Sequence, residues 1–344
     1  MKDIDAEAQS SSGAGGSTGG RLHGVPGKAL ACFAGAAVLM LAYGGWSLHA
    51  GRTPPAVLPP AGQVIETAAP LRFVVLGDSR GNMSVFESVL AKAWAERPAV
   101  VLHSGDIVER CAPRQFEWVL RELHEDGMPV PLCVVPGNHD IDDSPQGAEG
   151  RNLLYERAFG PRHYWFAVGH TLFVALDTAA ETVSADELRW LDSVLADNRA
   201  GYKACFVFTH VPPAMPGVWH SLKDGTEALM SVLRKHSVTA LFCGHVHSYL
   251  ERSVEGMPVY VSGGAGADLE SSSDSYHYLL CTLAEDGSLR VEKKDVDALA
   301  DEEYPEYLLH VKLQTWIIVA AAALAVGGIV LTGRPRRAEV PATR

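Results

Sequence analysis

Leu132-Cys133-Val134-Val135-Pro136-Gly137-Asn138-His139-Asp140 sets an apolar, strand-like run directly against an amide, an imidazole and a carboxylate. Four more stretches repeat the arrangement. The run 73–76 leads into Gly77-Asp78-Ser79-Arg80-Gly81, and 100–102 leads toward Gly105-Asp106. The run 205–208 ends on Thr209-His210, and 240–243 on Gly244-His245-Val246-His247. The intervals from Asp78 to Asp106, Asp106 to Asn138 and His210 to His245 each match one strand–helix–strand unit. Polar chemistry is thereby gathered at the carboxyl ends of strands, where open α/β sheets build their sites. Carboxylates, an amide oxygen and imidazoles together form a donor set suited to a pair of divalent transition metals.

Outward from these ends, strand and helix patterns alternate. A strand over 71–76 precedes a helix over 83–95, and a strand over 100–102 precedes a helix over 114–124. A long loop, 140–151, follows the quoted stretch, and then a helical segment runs through 157. Segments 163–168 and 171–176 read as a hairpin turned at Gly169-His170. Leu188, Leu191 and Leu195 share one face of a helix over 185–196. Strand 204–208, helix 227–236 and strand 240–243 follow, then strands 259–261, 278–283 and 288–292. Two groups of strands with helices outside predict an α/β fold, a four-layer α/β/β/α sandwich of two mixed sheets.

In order and spacing, the five clusters resemble the calcineurin-like metallophosphoesterases, a superfamily that includes the purple acid phosphatases. The superfamily pattern is D-x-H, G-D, G-N-H-[DE], a lone His, and G-H-x-H. The tail His247-Ser248-Tyr249-Leu250-Glu251-Arg252 is similar to the purple acid phosphatase branch. The resemblance spans roughly residues 70–295. It implies the same four-layer fold and two divalent or trivalent metal ions, Mn, Fe or Zn. It also implies hydrolysis of a phosphate mono- or diester by a metal-bound hydroxide. By the same resemblance Asp106 bridges the two ions, Asp78 and His247 hold the first, and Asn138, His210 and His245 hold the second. His139 is left to hydrogen-bond the transition state or protonate the leaving oxygen, with Asp140 fixing its tautomer.

Each residue has a simpler reading in isolation. Asp78 and Asp106 alone would be turn-capping carboxylates, His210 a hydrogen-bonded core histidine, and Asp140 a helix N-cap or loop carboxylate. Their convergence carries the metal reading. His245 and His247 are two apart, so an extended backbone would send both imidazoles to one face. One position departs from the pattern: Arg80 stands where a ligating His is usual, and a guanidinium cannot ligate a metal. Two roles are open for it, substrate binding through its planar fork on phosphate oxygens and an ion pair with a carboxylate such as Glu109. The same departure leaves open a non-catalytic binding module with a degraded first metal site. Glu109 occupies the position of a ligating Tyr in purple acid phosphatases. His103, His163 and His220 are further pocket candidates, and Asp177 reads as a turn residue.

A chain of 344 residues accommodates one large domain or two modest ones. Its 47% hydrophobic content indicates a globular core plus extra apolar sequence. The net charge of −12 argues against a nucleic-acid-binding surface, which needs an excess of Lys and Arg. The apolar excess lies at the ends, in uncharged runs over 29–48 and 313–333, each long enough to cross a bilayer as a helix. Arg21 and Lys28 precede the first run, and Arg334, Arg336, Arg337 and Arg344 follow the second, which places both termini in the cytoplasm.

The expected organisation is a disordered cytoplasmic tail over 1–28, a transmembrane helix or signal anchor over 29–50, and a Pro-rich linker over 51–70. The metallophosphoesterase domain, 71–298, lies outside the cytoplasm. An acidic linker over 299–312, a transmembrane helix over 313–333 and a basic cytoplasmic tail over 334–344 complete the chain. Cys133, Cys205, Cys243 and Cys281 fall inside strands, where thiols behave as small hydrophobes and form no disulfide framework.

Overall fold

The computed structural model describes residues 27–50, 63–67, 69–142, 153–298 and 314–333. The larger sheet orders its strands β1 (Val64–Ile65), β5 (Tyr164–Val168), β6 (Thr171–Ala175), β7 (Ala204–Phe208), β8 (Ala240–Cys243), β10 (Met257–Ser262) and β9 (Tyr249–Val254). The smaller runs β12 (Leu289–Asp295), β11 (His277–Leu283), β2 (Leu71–Leu76), β3 (Val101–His103) and β4 (Leu132–Val134). Both sheets are mixed. β2, β3 and β4 are parallel, as are β6, β7, β8 and β10, while β11, β12, β5 and β9 join antiparallel.

The period-2 alternation of side chains assigns the layers. On β2, Phe73 and Val75 face the other sheet, while Val74 and Leu76 face helices. On β7, Phe206 and Phe208 face the sheet interface, and Cys205 and Val207 turn to the opposite helix layer. Phe73 sits at the centre of that interface, with ring centroids 5.2 Å from Phe173, 5.1 Å from Phe206 and 5.8 Å from Phe242. Full burial of one such ring contributes about 2–3 kcal/mol.

Helices α2 (Met83–Ala95), α3 (Pro113–Asp126) and α4 (Leu153–Phe159) cover the smaller sheet. Helices α5 (Ala185–Asn198) and α6 (Thr226–Lys235) cover the larger. On α2, Phe86, Val89, Leu90 and Ala93 are fully buried at helical spacing, so this stripe sets the helix against the sheet. Ser184 and Glu187 close a reciprocal capping box that fixes where α5 begins.

β9 went unread in the sequence. Its residues Tyr249-Leu250-Glu251-Arg252-Ser253-Val254 lack an apolar alternation because the strand is an edge with no side chain fully buried. Antiparallel pairing with β10 holds it instead. The edge strand β1 escaped because two residues are too few to show a pattern.

Among the described residues, 27–42 and 316–333 form one compact unit and the residues between 43 and 315 another. Helices α1 (Gly27–Ala50) and α7 (Gln314–Gly333) cover the two apolar runs. They pack through small residues: a Cβ on Gly328 would lie 2.7 Å from the Phe33 ring. Among the described residues no helix is long and apolar enough to cross a membrane. The two spans expected over 29–50 and 313–333 are therefore not shown. The tail 1–26, most of the linker 51–70, the segment 299–313 and the tail 334–344 lie outside the described residues, as does most of the loop 140–151.

Candidate metal centre

The carboxyl ends of β2, β3 and β4 meet those of β7 and β8, and the loops leaving them carry the polar clusters. Two glycines make the approach possible. A Cβ on Gly105 would sit 2.8 Å from His210 Nδ1, and one on Gly244 would sit 2.5 Å from Asp78 Oδ2. Asp78, Arg80, Asp106 and His245 all adopt left-handed backbone, with φ of 60°, 50°, 56° and 69°. Such conformations cost on the order of 1–3 kcal/mol each and concentrate at functional sites.

Asp78, Asp106 and His247 converge, with one ligand atom of each within 4.8 Å of the others. Both carboxylates are almost fully buried. Burial, with the Asp106 charge adding to it, pushes the Asp78 carboxyl well above the usual carboxylate range, and burial likewise raises Asp106. His247 donates its Nδ1 proton to the Asp268 carbonyl at 2.7 Å, which leaves its Nε2 lone pair 3.7 Å from Asp78 Oδ1.

A second convergence centres on His210. Its Nδ1–H donates to the Ser104 carbonyl at 2.8 Å, so Nε2 is a bare acceptor. Around that nitrogen stand Asn138 Oδ1 at 3.0 Å, His245 Nδ1 at 3.1 Å and Asp106 Oδ1 at 3.4 Å. Those atoms supply at most one hydrogen among them, on His245 Nδ1. Burial drives both imidazoles down to about 3, so they are neutral at physiological pH. Converging lone pairs with too few protons repel one another unless a cation stands between them. Both donor sets therefore fit divalent metals, with Asp106 common to the two.

His245 and His247 reach different clusters, but not along extended backbone as expected. Residues 245–248 form successive bends, and the positive φ of His245 turns its imidazole toward His210. Asp140 also departs from expectation. Its carboxylate accepts backbone N–H groups of Ile107, Val108 and Gly137 at 3.2, 3.0 and 2.8 Å, tying the Asp106 loop to the Asn138 loop. It is thus a positioning residue. Burial and the neighbouring Asp106 charge push its carboxyl up to about 8. The tautomer of His139 is set by the Glu109 carbonyl, 2.7 Å from Nδ1, which points Nε2 toward Asp106 Oδ2 at 3.9 Å.

Arg80 Nε donates to Glu109 Oε2 at 2.9 Å, and its Nη2 lies 3.1 Å from His139 Nδ1. The guanidinium makes the ion pair and also lines the cavity above the ligands, so its two readings are compatible. That cavity has a volume of about 540 Å³. His220 lines it, with its ring centroid 5.8 Å from that of His245. His103 lies fully buried beneath the site against Ser79, driven down to about 3 by burial, and His163 packs on Trp190 elsewhere. Asp177 receives the Ala179 N–H in a turn and pairs with Arg162.

The carbonyls of Ser104, Glu109 and Asp268 were invisible to residue-type reasoning because any residue supplies a carbonyl. Glu181, Trp219 and Glu270 also line the cavity unforeseen. Only Trp219 carried a signal, a large aromatic in the Pro- and Gly-containing loop 211–224.

Residues 71–249, more than half of the chain, match the family model described as calcineurin-like phosphoesterase. A probable cyclic nucleotide phosphodiesterase of Psychrobacter sp. (strain PRwf-1) is 25% identical over 57% of this chain and 61% of its own length. The chain thus spans about three fifths of that relative. A glycerophosphodiester phosphodiesterase of Enterobacter lignolyticus is 28% identical over 53% of this chain and 68% of its own. Among solved structures, a purple acid phosphatase from yellow lupin superimposes with a TM-score of 0.55 at 17% identity. That superposition covers 68% of this chain and 53% of the lupin protein, and it bears on the fold alone.

Proposed function

The chain belongs to the calcineurin-like phosphoesterase family, and from that premise we propose that it is a metal-dependent phosphoric ester hydrolase. The observation that carries this reading is the surplus of acceptors around His210 Nε2, which needs a cation to be stable. Asp78, Asp106 and His247 would hold one ion, and Asp106, Asn138, His210 and His245 the other. Bound there, two divalent cations would supply Lewis acidity toward phosphoryl oxygens and acidify the attacking water. His139, with its Nδ1 held by the Glu109 carbonyl, presents Nε2 as the atom that would carry a proton to the leaving oxygen. Arg80, braced by Glu109, presents its remaining N–H groups to non-bridging oxygens of the substrate.

The activities named for the two relatives favour phosphodiesters. Purified protein with Mn²⁺ should therefore turn over bis(p-nitrophenyl) phosphate faster than p-nitrophenyl phosphate. Arg80→Ala should raise KM on both esters about tenfold, one charge-assisted contact, with metal content unchanged. Turnover of neither ester with any divalent metal would leave a binding module that keeps the fold.

The sequence of the two ends supports a further part of the proposal, anchoring through 29–50 and 313–333 with the catalytic domain outside the cytoplasm. A reporter active only outside the cytoplasm should work when inserted between Pro54 and Pro60 and be silent after Arg344. The reverse pattern rejects this topology.

A further inference from the structure

Trp219 is 94% exposed at the wall of the cavity that holds the metal ligands. Between residues 63 and 298 the only other exposed large hydrophobic side chains, among the described residues, are Val64 and Leu153, at about half that exposure. An indole left in water at a site mouth forgoes burial that a ligand can supply. The loop presenting it is braced along its length. Val211, Met215 and Leu222 are buried anchors, the Leu222 N–H donates to the Pro212 carbonyl at 2.9 Å, and the Ala214 N–H to Thr226 Oγ1 at 2.9 Å. The Lys223 N–H donates to the Glu181 carbonyl at 2.8 Å, and the two side chains form an ion pair.

A phosphoryl group held at the metal ligands fills only part of a cavity of about 540 Å³. The remainder must take the alcohol part of the ester. With Arg80 turned to the phosphoryl group, the other strong cation on this wall, Lys223, is already matched by Glu181, and Glu270 adds negative charge. The distal wall is therefore unsuited to a second anionic group and suited to hydroxyl or amino donors beneath a flat ring.

We propose that Trp219 is the specificity-determining residue for the alcohol part of the substrate, stacking on a planar, uncharged aryl or nucleoside group. This rests on the hydrolase reading, because it assumes that the phosphoryl group sits at the metal ligands. Two non-hydrolysable probes of equal charge, phenylphosphonate and methylphosphonate, separate the two ideas in calorimetric titrations of the full chain with Mn²⁺. Wild type should bind phenylphosphonate about tenfold more tightly, the scale of one ring-stacking contact. Trp219→Ala should reduce that preference to within about twofold while methylphosphonate affinity stays near wild type, and Trp219→Phe should keep most of it. Because the side chain is exposed, neither variant removes core packing. Equal affinity of the two probes for wild type, or a preference that survives Trp219→Ala, overturns the stacking role alone. Binding of neither probe overturns the phosphoester site and the stacking role with it.

Discussion

Asp106→Asn and His210→Ala should each yield a folded chain that has lost its divalent cations and about a thousandfold or more of its turnover. Lewis-acid stabilisation of several kcal/mol disappears with the ions, and each 1.4 kcal/mol is tenfold in rate. The two variants should part in stability, which makes the pair informative. Burial raises the folded-state pKa of Asp106 above its unfolded value. A carboxyl with a raised folded pKa contributes stability at low pH that is lost as pH rises through that pKa. At neutral pH, well above the unfolded-state value, the buried carboxyl is thus a cost to the metal-free fold. Asparagine removes this cost and still offers an oxygen to the His139 N–H, which now sits 2.9 Å from Asp106 Oδ1. Metal-free Asp106→Asn should therefore melt no lower than the metal-free parent at pH 7. His210→Ala instead opens a buried void and leaves the Ser104 carbonyl without its donor, so it should melt lower. Mn²⁺ should raise the melting temperature of the parent and of neither variant, and wild-type metal content in either would overturn the ligand assignment.

His139→Ala should cut kcat by about a hundredfold to ten-thousandfold, the range for a lost general acid, while both ions remain bound. The side chain has 29% of its surface exposed, and its Nδ1 is engaged by the Glu109 carbonyl. Truncation therefore takes away a proton donor and little packing. The loss should be larger on an ester with a poor leaving group than on a nitrophenyl ester, whose departing oxygen scarcely needs a proton. Equal losses on both would assign His139 to binding the phosphoryl group instead of protonating the leaving oxygen.

The two sheets and their order along the chain were legible because buried strands such as β2, from Phe73 onward, and β7 carry apolar runs that end abruptly on glycine or polar residues. The edge strand β9 was not, since an exposed edge has no apolar pattern and is held by pairing with β10. The residues of the candidate metal centre were picked out by residue type, as only a few side chains suit a divalent cation. Their geometry was not. Asp140 looked like the partner of His139 because the two are adjacent, yet a tight turn sends the carboxylate under the loop to three backbone donors. The spacing of His245 and His247 suggested extended chain, while the positive φ at His245 separates the imidazoles by a bend. Arg80 kept two readings in sequence because a guanidinium has enough N–H groups to satisfy Glu109 and still face the cavity.

Anomalous diffraction from crystals of the full chain grown with Mn²⁺ tests the dinuclear centre most directly. Two peaks are expected, one among Asp78, Asp106 and His247 and one among Asp106, Asn138, His210 and His245. A single peak, or none at these side chains in protein that hydrolyses bis(p-nitrophenyl) phosphate, would contradict a centre shared through Asp106.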